Sequence, residues 1–558
     1  MSSQHLNPIT TSYPYPYLQR LWRPGIFLVA LLVSLPIFTI ASFILQPANE
    51  VWQHLLDTVL SEYLLNSALL MLGVGIGTLV IGVGCAWLTS VCIFPGKRLF
   101  AWALLLPLAF PGYIIAYTYT GMLDFAGPVQ TWIREVTGWG YQDYFFPEVR
   151  SLGGAVTMFS LVLYPYVYLL SRAAFLEQSV CVLEVSRTLG CSVWSSFYRV
   201  ALPLARPAIV AGLSLALMET LADYGMVSYF GLGVFTTGIF RTWFGLGDGA
   251  AAAKLAAILL LFVFVLVIIE RWSRKRAQYH HTSNRYSSLP QYQLHGYRSW
   301  LAFCACFIPL LLGFLLPACQ LAIWGFETYE YMLDESFVRL TMHSVMLALS
   351  AAMLAVVLAL FLAYGKRLYR SNMVTASIRV VATGYAIPGT VVAVGVIIPF
   401  AWIDNNLDNL MREHYDISTG LLLSGSLFAV MFAYMVRFLA ISIQSVESGL
   451  GKIKPSMDDA ARSLSSTPVE ILTRVHLPLM KGTVLTAFLI VFVDVMKELP
   501  ATLILRPFNF NTLAVRAFEL AGDERLADSS TAALMIVVVG LVPVILLSHS
   551  IAASRAGS

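Results

Sequence analysis

The sequence predicts an all-α, polytopic membrane protein of about twelve transmembrane helices, built as two parallel six-helix repeats. Three observations carry this. The 558 residues are 58% hydrophobic and only 12% charged, with mean hydropathy +0.75, whereas soluble chains carry about 25% charged residues. Apolar runs recur along the whole length, each long enough to cross a hydrocarbon core about 30 Å thick. A polar motif occurs twice, each copy between two such runs.

The runs fall at about 25–45, 63–92, 99–121, 152–171, 207–231, 253–270, 300–323, 341–364, 378–401, 420–436, 482–505 and 530–548. The first follows a mostly polar leader and reads as an uncleaved first span. Lys and Arg crowd alternate connections, including a group from Arg271 to Arg298 and another from Arg437 to Lys481. The positive-inside rule therefore puts both chain ends in the cytoplasm. The opposite loops are acidic, with Glu327, Glu330, Asp334 and Glu335 in one and Asp404, Asp408, Glu413 and Asp416 in another. The seven cysteines lie in segments assigned to the membrane or the inside, so they read as core residues and not as a disulfide framework.

A basic, polar stretch at 276–298 separates a first repeat, 1–275, from a second, 299–558. Before the motif the echoes lie 277 positions apart: Asn66-Ser67 with His343-Ser344, and Phe110-Pro111-Gly112 with Ile387-Pro388-Gly389. After it they lie 275 apart: Glu219 with Asp494, Asp223 with Glu498, and Phe235-x-Thr237-x-x-x-Arg241 with Phe510-x-Thr512-x-x-x-Arg516. Each half has an even number of spans, so the repeats are parallel and related by an axis along the membrane normal. Gly73, Gly75, Gly77, Gly82 and Gly84 in the second span, and Ala348, Ala351, Ala352, Ala355 and Ala359 in the eighth, permit close helix approach in lipid.

The first motif is Glu184-Val-Ser-Arg-Thr-Leu-Gly190, nine residues, then Val200-Ala-Leu-Pro203; the second is Asp459-Ala460-Ala461-Arg-Ser-Leu-Ser465, nine residues, then Val475-His-Leu-Pro478. Each reads as two short helices at an angle. In the second copy Ser465-Ser466 ends one helix, and Thr467-Pro468-Val-Glu470 starts the next with an N-cap, a proline at the first position and a capping-box glutamate. Gly190 supplies the bend in the first copy. Small residues allow a partner to approach, and the acid and Arg can contact it.

A second constellation lies in the fifth and eleventh runs. Glu219 is about 18 Å along a helix from Pro207, near mid-membrane, at 1.5 Å per residue. Asp223 follows one turn later on the same face, and Asp494 and Glu498 repeat the pattern beside Lys497. Ionisable groups at such depth are costly and face a cavity or a partner. One reading is structural: Lys497 pairs with Asp494, and carboxylates cap breaks at Gly225 and Pro500. The other is a translocation pathway whose four carboxylates transiently bind a hard cation. Arg241 and Arg516 then stand at equivalent outer positions as gate residues or contacts for a delivery protein.

The doubled motif resembles the coupling motif of ABC importer permeases. The resemblance covers both halves and implies a fused pair of type I importer permeases. It assigns ATPase coupling to Glu184, Gly190, Pro203, Asp459, Ala460, Ala461, Ser465 and Pro478. Val185 and Ser186 depart from the usual alanines, Asp459 from Glu, and Ser465 from Gly. The segments around Glu219-Thr-Leu-Ala-Asp223 and Lys497-Glu-Leu-Pro500 resemble ferric-iron permeases. The resemblance implies a bacterial inner-membrane subunit that works with two cytoplasmic ATPase subunits and an extracytoplasmic Fe(III)-binding protein. The chain has no phosphate-binding loop, so ATP and Mg are expected on the ATPases and no cofactor on this chain. No enzymatic chemistry and no nucleic-acid partner are expected. Thiamine, sulfate or phosphonate are alternative cargoes, and a secondary transporter with six-plus-six repeats is the rival class.

Overall fold

The computed structural model describes residues 16–140, 142–177, 193–275, 292–369 and 371–553. It is almost entirely helical, apart from one two-residue parallel bridge that pairs Cys92-Ile93 with Tyr292-Gln293. Among the described residues ten helices are long and apolar enough to cross a membrane, or twelve if two sharply bent pairs each count as one span.

The two halves use the same core. In the first, the Leu60–Val91, Leu152–Glu177 and Leu202–Ala222 helices pack together; in the second, Glu335–Leu368, Leu427–Gly451 and Lys481–Met496 do so. Small residues set the spacing. A Cβ on Gly82 would lie 2.7 Å from Val167 Cβ and 2.9 Å from the Tyr164 carbonyl, and Ala348, Ala351, Ala352, Ala355 and Ala359 are fully buried. The first helix of each half crosses to the other half. Pro16–Phe43 packs on Gly389–Tyr415, with Trp22 Nε1 donating to the Phe361 carbonyl at 3.0 Å. Reciprocally, Leu316–Met332 packs on Gly112–Leu123.

The structure corrects the third, fifth, ninth, tenth and eleventh expected spans; the eleventh stops at Met496 and restarts as Pro500–Leu505. The third and ninth spans are broken, not continuous. Lys97–Ala103 leads through a 3-10 turn, Leu106–Ala109, to a new helix at Gly112, and Asn372–Val381 leads through Gly384–Ala386 to a new helix at Gly389. The cause is Pro111 and Pro388, which hold extended backbone (ψ 145° and 142°) and force the preceding residue out of helix as well. The fifth span stops at Ala222, so Asp223 (ψ 135°) is not one helical turn beyond Glu219 on the same face; it caps a break before Gly225–Tyr229. The tenth span runs on from 436 to Gly451, which moves Arg437 from a connection into a buried helix.

The helix breaks of each half meet at one joint. Asp223 Oδ1 accepts from the Met226 N–H at 2.9 Å, and Glu498 Oε1 accepts from the Ala501 N–H at 3.1 Å. Each carboxylate thus satisfies a backbone donor freed by a break. Each also lies against the glycine of the Pro-Gly break: a Cβ at Gly112 would sit 3.1 Å from Asp223 Oδ2, and one at Gly389 2.6 Å from Glu498 Oε1 and 3.1 Å from Arg437 Nη1. The repeat echoes therefore belong to one structural unit. The other echoes tie the second and eighth helices to the loops after these breaks: Asn66 Nδ2 donates to the Gly233 carbonyl at 3.0 Å, Ser344 Oγ accepts from the Leu513 N–H at 2.8 Å, and His343 stacks on Phe510 at 4.7 Å.

Gly389→Ala is expected to destabilise the protein by about 1–3 kcal/mol through overpacking against two charged side chains. Thermal unfolding in detergent reads this out. Gly84→Ala, whose Cβ meets nothing within 4 Å, should not lower the midpoint and should raise it slightly, since Ala favours a helix interior over Gly.

Candidate functional site

The joints of the two halves open onto one central cavity of about 100 Å³. It is lined by Glu219, Asp223, Asp494, Lys497 and Glu498, by Arg437, and by Tyr113, Tyr166 and Tyr385. All four carboxylates singled out in the sequence reach it. They do not converge: among the described residues no three His, Cys, Asp or Glu side chains form a group that could hold a metal ion.

The two halves neutralise their acids differently. Lys497 Nζ lies 2.8 Å from Asp494 Oδ1, three residues apart on one helix. Arg437 Nη1 pairs with Glu498 Oε2, and both side chains are more than nine-tenths buried. Glu219 Oε1 accepts from Tyr385 Oη at 2.8 Å, a hydrogen bond between the halves. The structural readings of Lys497 with Asp494, and of caps at Gly225 and Pro500, thus match the geometry. The same residues line the cavity, so the pathway reading stands beside them.

Arg437 and Tyr385 are cavity residues that the sequence reading did not assign. Arg437 had a signal, a lone charge inside an apolar stretch, but it was counted with the basic connection that follows. Arg241 and Arg516 are remote from the cavity. Arg241 is exposed at the start of a π-turn, and Arg516 is half-buried beside a smaller cavity lined by Tyr331 and Asp334.

On another face lies the second motif. Pro455–Ser463 ends in a Schellman motif, with the Ser466 N–H on the Ala461 carbonyl (3.2 Å) and the Ser465 N–H on the Arg462 carbonyl (2.9 Å). Ser465 takes the left-handed conformation there, φ 61°. The next helix opens with the expected capping box: Thr467 N–H donates to Glu470 Oε2 at 2.8 Å, and Glu470 N–H to Thr467 Oγ1 at 3.3 Å. It then widens into a π-turn, Ile471–His476, where the Pro478 ring would otherwise crowd the Arg474 carbonyl. Phe197–Ala201 makes the same turn before Pro203. Glu184 and Gly190 lie outside the described residues.

Asp459 is exposed (69%) and pairs only with Arg462 at 3.0 Å. Ala460 and Leu464, the latter 82% exposed, share its surface. The neighbouring Asp458 is buried, a feature the sequence reading missed. Arg367 grips it through Nε–Oδ2 (2.7 Å) and Nη2–Oδ1 (3.1 Å), and His476 Nε2 lies 2.7 Å from Oδ1. Arg367 also donates to the carbonyls of Leu450 (2.6 Å) and Ile453 (2.9 Å). This clamp welds the motif to the inner core helices. At the positions of Arg367 and His476 the first repeat has Ser90 and Ala201, both buried.

Comparison with known proteins points to transport permeases. Residues 9–279 match the family of binding-protein-dependent transport system inner membrane components. The Fe(3+)-transport system permease protein FbpB 2 of Haemophilus influenzae is 26% identical over 94% of this chain and 98% of its own length. Over residues 9–279 the chain is similar to this permease family. The putative ferric transport system permease protein FbpB 1 of the same organism is 24% identical over 82% of this permease and 72% of its own length. The molybdenum transport system permease protein ModB of Escherichia coli K12 is 29% identical over 36% of this permease and 89% of its own length. The permease is thus a multi-pass transport subunit of the ABC importer type.

Burial raises the Asp458 carboxyl pKa, but hydrogen bonds from Arg367 and then His476 outweigh burial and hold it below the usual range. A depressed carboxyl stabilises the folded state above its unfolded pKa, about 3.9, and loses that contribution as pH falls through the lower folded value. Protection of the Ser465 and Ser466 amides around Arg462, read by hydrogen exchange, should therefore survive mild acid and fail only below about pH 4. Asp458→Asn leaves Arg367 uncompensated, which costs about 3–5 kcal/mol for a buried pair; it should open the same site at neutral pH.

Proposed function

We propose that this permease imports ferric iron, a hard cation, by alternating access about the central cavity. The observation that carries this is the charge of the cavity, where, among the described residues, four carboxylates face two cations, Arg437 and Lys497. Hard cations take oxygen ligands, and a wall of carboxylates and phenols offers little else. The two FbpB relatives, named for ferric transport, support the same cargo.

An extracytoplasmic Fe(III)-binding protein delivers the ion. Two cytoplasmic ATPase subunits, which hold ATP and Mg, dock on the two motifs. The motif face is then cytoplasmic, with both chain ends, and the membrane is a bacterial inner membrane. On the second motif the exposed Asp459, Ala460 and Leu464 form the contact. The clamp of Arg367, Asp458 and His476 passes the movement to the helices that reach the cavity. Oxyanion cargo has a motive in the ModB resemblance, but an anion would meet surplus negative charge here.

The test is uptake into proteoliposomes that hold the permease and its ATPases, with loaded binding protein outside. Labelled ferric iron should accumulate only with ATP inside, and labelled molybdate and thiamine should not. Iron uptake without ATPase, or molybdate uptake in place of iron, would overturn the proposal.

A further inference from the structure

We propose that the cargo cation is received by the first repeat alone, at Glu219 and Asp223, because the second repeat carries its own counter-ions. This rests on the cation reading above and names the part of the cavity that serves it. Glu219 and Asp494 are repeat mates, as are Asp223 and Glu498. In the second repeat Lys497 holds Asp494 and Arg437 holds Glu498. At those two positions the first repeat has Ala222, 275 residues before Lys497, and Val162, which matches Arg437 when the two helices are aligned on their starts, Leu152 and Leu427; both line the same cavity. None of the ion pairs among the described residues includes Glu219 or Asp223.

Each of these two acids commits one oxygen. Glu219 Oε1 takes the Tyr385 hydroxyl, and Asp223 Oδ1 takes the Met226 and Val227 N–H groups at 2.9 and 3.4 Å. Among the described residues their second oxygens have no hydrogen-bond partner. A separate observation points to a ligand here. Tyr113, in the wall of the same cavity and only 3% exposed, has a hydroxyl with no hydrogen-bond partner. A buried polar group left unpaired is expensive and usually awaits a ligand or water. Two carboxylates outside any direct ion pair at membrane depth are more expensive still. A di- or trivalent hard cation offsets both, with carboxylate and phenol oxygens as its donors. Tyr385 comes from the opposite half, so rocking of the halves changes the donor set around Glu219 and gives a route to release.

Ala222→Lys tests this by building into the first repeat the pairing that Lys497 makes with Asp494, three residues apart. Ala222→Met adds similar bulk without charge. In the reconstituted complex the wild type should take up ferric iron, and Ala222→Lys should take up at least about tenfold less than Ala222→Met, the scale of a misplaced like charge. Glu219→Gln, nearly isosteric, should lose as much while the ATPase activity stimulated by binding protein persists. Equal uptake by Ala222→Lys and wild type, or equal losses in Ala222→Lys and Ala222→Met, would overturn the assignment. Absence of iron uptake by the wild-type complex would instead overturn the cargo reading, so the two failures are distinguishable.

Discussion

The structure depends on one constraint: inside a bilayer, neither a freed backbone donor nor an ionised side chain can turn to water. Each repeat breaks two of its helices near the membrane centre and must satisfy what the breaks expose. Asp223 and Glu498 do this for the fifth and eleventh helices and rest on Gly112 and Gly389 of the third and ninth. Two irregular points thus share one carboxylate in each half. The permitted place for such backbone is around a cavity or within protein, and the cavity lies where the two joints meet.

The same logic links the cavity to the motif face. The Leu427–Gly451 helix carries Arg437 at the cavity and, thirteen residues on, the Leu450 carbonyl that Arg367 binds. At 1.5 Å per residue this is a rigid rod of about 20 Å. At one end a charge is fixed by Glu498; at the other, Arg367 joins Asp458, which holds His476 of the second motif. A push on the exposed side of the Pro455–Ser463 helix therefore reaches the cavity through hydrogen-bonded side chains and one continuous helix, with no flexible loop between them.

Much of this was legible in the sequence because duplication makes function periodic. The offsets of 275 and 277 paired the motifs, the Pro-Gly breaks and the carboxylates without reference to structure. The capping box at Thr467 and the pairing of Lys497 with Asp494 also followed, because both are local interactions read from spacing. Long-range features did not. Hydropathy averages over a window, so it passed smoothly across Pro111 and Pro388. The helical spacing that put Asp223 beneath Glu219 assumed a helix that ends at Ala222. Arg437 was assigned by its nearness to other basic residues, and only its partner Glu498, 61 positions away, shows that it is buried. Asp458 was passed over because Asp459 fits the motif, yet the residue outside the motif holds it in place.

The repeats keep one fold while dividing its tasks. The second holds the fixed cations, Arg437 and Lys497, and the polar clamp of Arg367, Asp458 and His476. The first has Val162, Ala222, Ser90 and Ala201 at the mates of Arg437, Lys497, Arg367 and His476. A pair of identical chains cannot make this distinction, since any cation placed beside one carboxylate would appear beside its mate and the cavity would be fully neutralised. Two halves on one chain escape that symmetry. One half can be made electrostatically self-sufficient and mechanically stiff, leaving the other with carboxylates that lie outside its ion pairs.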